Sequence, residues 1–150
     1  MSSTTIRPID LLLIEDQPSD ADLALRALDE LGMGGQVHLV EDGAEALDFV
    51  FGRDAYADRS VADAPALILL DLKLPKVSGL EVLRCLKSDE RTRSIPVIVL
   101  SSSKEDRDVE RCYEMGVNSY VVKPVDFDRF TETVQRIGTY WLQTNEGPTS

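Results

Sequence analysis

Five short apolar runs, each too brief for a helix, alternate along this chain with segments whose apolar residues repeat at helical spacing. The runs fall at residues 9–14, 37–40, 66–70, 95–100 and 120–122. They do not strictly alternate polar with apolar residues, so strands built from them must be covered on both faces. The intervening stripes are Ala21, Ala24, Leu25, Leu28 and Leu31; Ala44, Leu47, Val50 and Phe51; Leu80, Leu83 and Leu86; Val109, Cys112 and Tyr113; and Phe127, Phe130, Val134, Ile137 and Trp141. Side chains three and four residues apart share one face of a helix. Pro18 opens the first helix, Gly32 and Gly34 close it, and Gly116 stops the fourth. Strands that alternate with helices in this way predict an α/β fold, a doubly wound five-stranded parallel sheet with helices on both faces.

A chain of 150 residues suits one such domain. Its expected extent is 9–142, after a poorly ordered start at 1–8 and before a flexible polar tail at 143–150. Residues 52–65 read as an insert, either a loop or a frayed extension of the second helix.

The charge narrows the partners. With 27 acidic and 16 basic side chains the net charge is −11, which repels nucleic-acid phosphates and anionic lipid. Direct nucleic-acid binding is not expected. The polar residues 1–8 do not read as a signal peptide, and no apolar run reaches the length of a membrane span. Cys85 and Cys112 lie in separate predicted helices outside any ligand-like cluster, so both are expected as free thiols in a reducing compartment. A cytoplasmic protein is the expectation.

In an open parallel sheet, ligands bind outside the carboxyl ends of the strands. Here those ends carry Glu15-Asp16, Asp71, Ser101 and Lys123. Any one of them could be a turn or cap residue. Together they offer three carboxylates, a hydroxyl and an ammonium to one crevice. Clustered carboxylates repel one another and favour a hard divalent cation such as magnesium. A lysine can place a point charge on a phosphoryl oxygen, a serine hydroxyl can donate to another, and one carboxylate is left as a nucleophile. Catalysis would then be positioning plus charge compensation. A serine hydrolase would need a histidine in the crevice, and the single histidine, His38, falls on the second strand. Asp16-Gln17-Pro18 stands where a dinucleotide fold carries its glycines, there is no P-loop, and neither cysteine has a histidine at zinc spacing.

These residues resemble the receiver domain of two-component response regulators over 9–142. Leu11-Leu12-Leu13-Ile14-Glu15-Asp16 resembles the family's opening strand and acidic pair. Leu69-Leu70-Asp71-Leu72-Lys73-Leu74-Pro75-Lys76-Val77-Ser78-Gly79 resembles its phosphorylation segment. Val99-Leu100-Ser101 and Tyr120-Val121-Val122-Lys123-Pro124 resemble the two strand ends that follow, 30 and 52 residues after Asp71. The resemblance implies a flavodoxin-like sheet of strand order 2-1-3-4-5. It implies Asp71 as phosphoacceptor, and Mg2+, replaceable by Mn2+ or Ca2+, on Asp16, Asp71 and the Lys73 carbonyl, with Glu15 acting through a water. Lys123 would pair with Asp71 and then with the phosphoryl group. Ser101 and Tyr120 would be switch residues, Tyr120 turning inward on activation, and a cis peptide would join Lys123 to Pro124.

Phe51-Gly52-Arg53 with the insert, Leu72-Lys73-Leu74-Pro75-Lys76 and Tyr140-Trp141-Leu142 give a narrower resemblance, to stand-alone regulators paired with phytochrome histidine kinases. It implies a red-light sensor kinase as phosphodonor and a homodimer through the C-terminal helix region. Lys73 and Ser103 flank the path of an attacking water and are expected to tune dephosphorylation. With no stretch that reads as an effector domain, output is expected through protein contacts. The chain would catalyse its own phosphorylation and dephosphorylation without turning over a separate substrate. The competing readings are a small-molecule phosphotransferase or phosphatase, and a phosphorylation-independent adaptor on the same fold.

Overall fold

The computed structural model describes residues 11–33 and 36–147. Five strands, β1 (Leu11–Ile14), β2 (Val37–Val40), β3 (Leu67–Leu70), β4 (Val97–Ser101) and β5 (Ser119–Val122), pair in parallel in the order β2-β1-β3-β4-β5. Five helices join and follow them: α1 (Pro18–Glu30), α2 (Gly43–Phe51), α3 (Gly79–Ser88), α4 (Asp106–Glu114) and α5 (Phe127–Thr139). This is the strand order that the resemblance implies.

The three inner strands are buried along their whole length, and the edge strands β2 and β5 are mostly half-buried. Successive side chains of the inner strands go to opposite faces. Leu12, Ile14, Ile68, Leu70, Val97 and Val99 pack with residues of α2, α3 and α4, whereas Leu11, Leu13, Leu67, Leu69, Ile98 and Leu100 pack with α1 and α5. Burying each such side chain is worth about 1.5–3 kcal/mol, so the runs that look featureless in sequence supply two cores at once. Asp42, Ser78 and Asp126 cap α2, α3 and α5 through backbone amides of the first turn.

The structure corrects several expectations. The insert is not a frayed end of α2. That helix stops at Gly52, in the left-handed region at φ 66°, where a Cβ would stand 2.1 Å from the Arg59 carbonyl oxygen. Two single 3-10 turns follow at Asp54–Tyr56 and Val61–Asp63. Tyr56 pins the first, donating to Glu45 Oε2 at 2.6 Å and meeting His38 Nε2 at 3.0 Å. Arg59 lies over the Phe49 ring at 3.9 Å and donates to the Phe49 carbonyl.

The fourth helix buries less of its stripe than the spacing suggests. Cys112 is fully buried but Tyr113 is 52% exposed, because a nine-residue helix offers only a narrow inward stripe. Phe127 shares the α5 stripe yet is 70% exposed at the first residue of the helix, and the buried face begins only with Phe130. A π-helical turn at Tyr140–Thr144 extends α5 into residues expected to begin the tail. No described peptide bond is cis, so Lys123 to Pro124 is trans, against the expectation drawn from the family. Trans is the intrinsically favoured isomer of any X–Pro bond, and no residue pattern on either side announces which one a fold selects. The expectations for 1–8, for Gly34 and for 148–150 lie outside the described residues. Among the described residues no helix is long and apolar enough to cross a membrane, and both cysteines are unpaired.

Candidate metal and phosphoacceptor site

Sheet register builds the site. Ile14 pairs with Leu70, and the ladder runs one residue further, with the Asp71 amide donating to the Ile14 carbonyl at 3.1 Å. Glu15 is tied likewise to Val40 at 3.0 Å, and Lys123 to the Ser101 carbonyl at 2.8 Å. Glu15, Asp71 and Lys123 are thus each the first residue after a strand, and Ser101 the last of one, where the backbone is still held. Gly79 completes the wall: a Cβ there would meet the Asp71 carbonyl oxygen at 2.4 Å, so only glycine lets α3 start this close to the β3 end.

Glu15, Asp71 and Ser101 are buried, and Asp16 is half-buried. Carboxylate oxygens of Glu15, Asp16 and Asp71 all lie within 4.8 Å of one another. Two ligands facing each other across magnesium stand about 4.2 Å apart, so little closure is needed. Asp16 Oδ1 is buried with no hydrogen-bond partner in the protein, which leaves an anionic oxygen to be satisfied by something else. The donor set and the orphaned oxygen both fit a hard divalent cation. The Lys73 amide donates to Asp71 Oδ1 at 3.3 Å, which anchors that oxygen on the side of the β3–α3 loop.

Opposite stands Lys123, its side chain 9% exposed, with Nζ 2.8 Å from Glu15 Oε1, 2.9 Å from Asp20 Oδ2 and 3.3 Å from Asp71 Oδ2. Burial alone would pull the ammonium down. Hydrogen bonds to Asp20 and Glu15, with the charge of Asp71, hold it well above the usual lysine range. Burial pushes Glu15 up to about 7, with the Asp71 charge adding to it, against the Lys123 hydrogen bond and the Gln17 amide. Four carboxylates against one ammonium leave an excess of negative charge that a divalent cation would relieve.

On the β4 side, Ser101 Oγ accepts from the Ser103 amide at 3.2 Å. The Tyr120 hydroxyl donates to the Ser103 carbonyl at 2.8 Å, with its half-buried ring against the core, and Ser103 Oγ donates to Asp108 of α4 at 2.5 Å. Ser103 is thereby tied to both β5 and α4. His38 is structural: it stacks on Phe49 at 4.5 Å and bonds Tyr56, and burial lowers it.

The residues singled out at the strand ends, Glu15, Asp16, Asp71, Ser101 and Lys123, are brought to one rim of the sheet. Asp20 was not singled out. Its acid in the first turn of α1 is explained in sequence by the helix dipole alone, and only the packing of α1 brings it to Lys123. Asp108 was missed for the same kind of reason.

A doubly wound sheet with an acidic, cation-ready pocket at its carboxyl rim defines the class of protein. The particular family follows from comparison. Residues 11–135 match the family described as "Response regulator receiver domain", and the chain belongs to it. It is 43% identical, over 94% of its length and 88% of the relative's, to a probable methanogenesis regulatory protein, FilR2, of Methanothrix harundinacea. It is 35% identical to response regulator Rcp1 of Synechocystis, over 96% of each chain. Among solved structures it is similar to the phosphorylated cyanobacterial phytochrome response regulator RcpA, with TM-score 0.87 and 36% identity over 95% of this chain and all of that one (100%).

Proposed function

We propose that this protein is a phosphoacceptor switch that takes a phosphoryl group from a sensor histidine kinase onto Asp71. The observation that carries the reading is the placement of Asp71: a buried carboxylate with one oxygen toward Lys123 and the other on the Lys73 amide, beside the Glu15–Asp16 pair. An oxygen of Asp71 attacks phosphorus and forms a P–O bond as the P–N bond to the donor histidine breaks. The bonding pair stays on the imidazole nitrogen. Lys123 offsets charge on the phosphoryl oxygens, and the Ser101 hydroxyl donates to one of them. Reversal to the resting state is hydrolysis: water adds to phosphorus, the bond to Asp71 breaks, and inorganic phosphate leaves.

Mg2+, or Mn2+ or Ca2+ in its place, would be held by Asp16, Asp71 and the Lys73 carbonyl, with Glu15 through a water. When bound it supplies positive charge against the transferring oxygens. Ser101 and Tyr120 are the switch pair, with Ser103 and Lys73 flanking the water's approach. The likeness to RcpA supports a phytochrome-type kinase as the donor. The exposed Tyr140 at the end of α5 supports a homodimer through that region, the negative net charge supports output through protein contacts, and the free thiols of Cys85 and Cys112 support a cytoplasmic setting.

Incubation with acetyl phosphate and magnesium tests the reading. Stable labelling of about one phosphoryl group per chain in wild type, absent in Asp71→Asn, is expected. Continuous turnover of a metabolite would favour a phosphotransferase, and no labelling an adaptor. Transfer from a red-light kinase faster than from unrelated kinases would place the protein downstream of light. Equal or slower transfer would remove that assignment.

A further inference from the structure

An ammonium has three N–H donors, and in Lys123 all three face carboxylates. The contacts are unequal. Asp71 is the most distant of the three at 3.3 Å, although the proposed chemistry needs the lysine there. Glu15 and Asp20 hold the ammonium more closely, at 2.8 and 2.9 Å. These two differ in what release would cost. The Glu15 side chain is 5% exposed, so losing its cation would strand a buried charge. Asp20 is 30% exposed, and water can replace the ammonium there. Asp20 also differs in origin. It is carried by α1, whereas the other acids follow strand ends, so its hold on Lys123 couples the site to a helix.

We propose that Asp20 is a positioning residue for Lys123, a competing carboxylate that holds the ammonium back from Asp71 and gives way when a phosphoryl group arrives. This rests on the receiver reading for its purpose, but the contact itself can be tested without any phosphoryl transfer. In the resting protein Asp20 keeps the lysine neutralised and fixed. A phosphoryl group on Asp71 brings oxygens nearer to Nζ than the present carboxylate oxygen, and Asp20 is the partner most easily exchanged for them. Asp20 therefore influences how readily an anionic donor finds the lysine available.

Two readouts separate this role from a merely structural ion pair. The first is the reactivity of Lys123 toward an acetylating reagent, mapped by peptide mass spectrometry on unphosphorylated full-length protein. Asp20→Asn should raise it on the order of tenfold, the worth of one charge-assisted hydrogen bond, and Asp20→Glu should restore the wild-type rate. Lys87, also half-buried with three acceptors, is the internal control and should not change. The second is the rate of labelling by acetyl phosphate. It should rise on the order of threefold in Asp20→Asn relative to Asp22→Asn, which removes the same charge from an exposed position on the same helix, paired with Arg26. Unchanged Lys123 reactivity in Asp20→Asn, or a parallel rise at Lys87, would overturn the proposal. Failure of the wild type to label at Asp71 would count against the receiver reading, whatever the state of Lys123.

Discussion

Two lysines at opposite edges of the sheet show how one side-chain type is put to different use. Lys123 at the carboxyl edge donates to three carboxylates. Lys87 at the end of α3 reaches the amino edge, where it donates to the carbonyls of Arg93 and Ile95 at 2.9 and 2.8 Å and to Asn118 Oδ1 at 2.9 Å. Both ammoniums have every donor used. Burial, with no carboxylate against it, pushes Lys87 down to about 8, while the acids around Lys123 hold that ammonium high. Neutral acceptors make Lys87 a clamp between α3 and the strand starts, and Asn118 Oδ1 also accepts from the Val97 amide at 2.9 Å. Charged acceptors make Lys123 part of a site that still carries excess negative charge. A buried lysine is therefore no sign of function by itself; the charge left over around it is.

The sharpest way to break this contrast is to remove each ammonium in turn. Lys123→Met should abolish most labelling by acetyl phosphate and, in metal-free buffer, cost about 3–5 kcal/mol by stranding buried carboxylates. Lys87→Met should leave labelling intact and cost about 1–3 kcal/mol, from acceptors left unpaired. Equal labelling defects in the two variants would remove the distinction. Chemical denaturation and labelling time courses on the same preparations read both quantities.

The next effect is that of the cation. Magnesium at about a hundredfold over its Kd should stabilise wild type by about 2.7 kcal/mol. Asp16→Asn should lose most of that gain, because Asp16 Oδ1 is the acid oxygen without a protein partner. The gain should be larger in Lys123→Met, where no internal cation shares the acids. Thermal melts with and without magnesium measure all three.

Away from both lysines, Tyr56→Phe removes the hydrogen bonds to Glu45 and His38 and should cost about 1 kcal/mol, with faster proteolysis within 52–65 and unchanged labelling. A labelling defect in this variant would mean that the insert reaches the site.

A pH dependence specific to Lys87 gives a further test. Its folded value, about 8, lies below the ordinary 10.5, so between those limits the unfolded chain binds the proton more tightly. Wild-type stability relative to Lys87→Met should therefore rise as pH increases through that window. A flat or falling difference would mean that the three acceptors hold the charged form.

The sheet was readable because the inner runs are apolar on both faces, and in such runs length alone separates strand from helix. The strand-end residues were readable because topology sends every carboxyl end of a parallel sheet to one rim. Tertiary relations were not. Asp20 reads as a favourable first-turn acid until α1 is packed against α5 and the acid meets Lys123. Phe127 keeps the stripe's period, but period does not tell where along a helix the buried face begins. Tyr56 looks like one aromatic in a polar insert, and only the closeness of His38 and Glu45 gives it a role. The trans bond before Pro124 turns on a small energy difference that no local pattern records.

Site mapping of the transferred group offers the most direct test. Wild-type protein is treated with a phosphodonor in the presence of magnesium or of a chelator, and the modified residue is located by mass spectrometry. The phosphoryl group should appear on Asp71, and only where magnesium is supplied. A group found on another side chain, or on Asp71 equally well with chelator, would contradict the account.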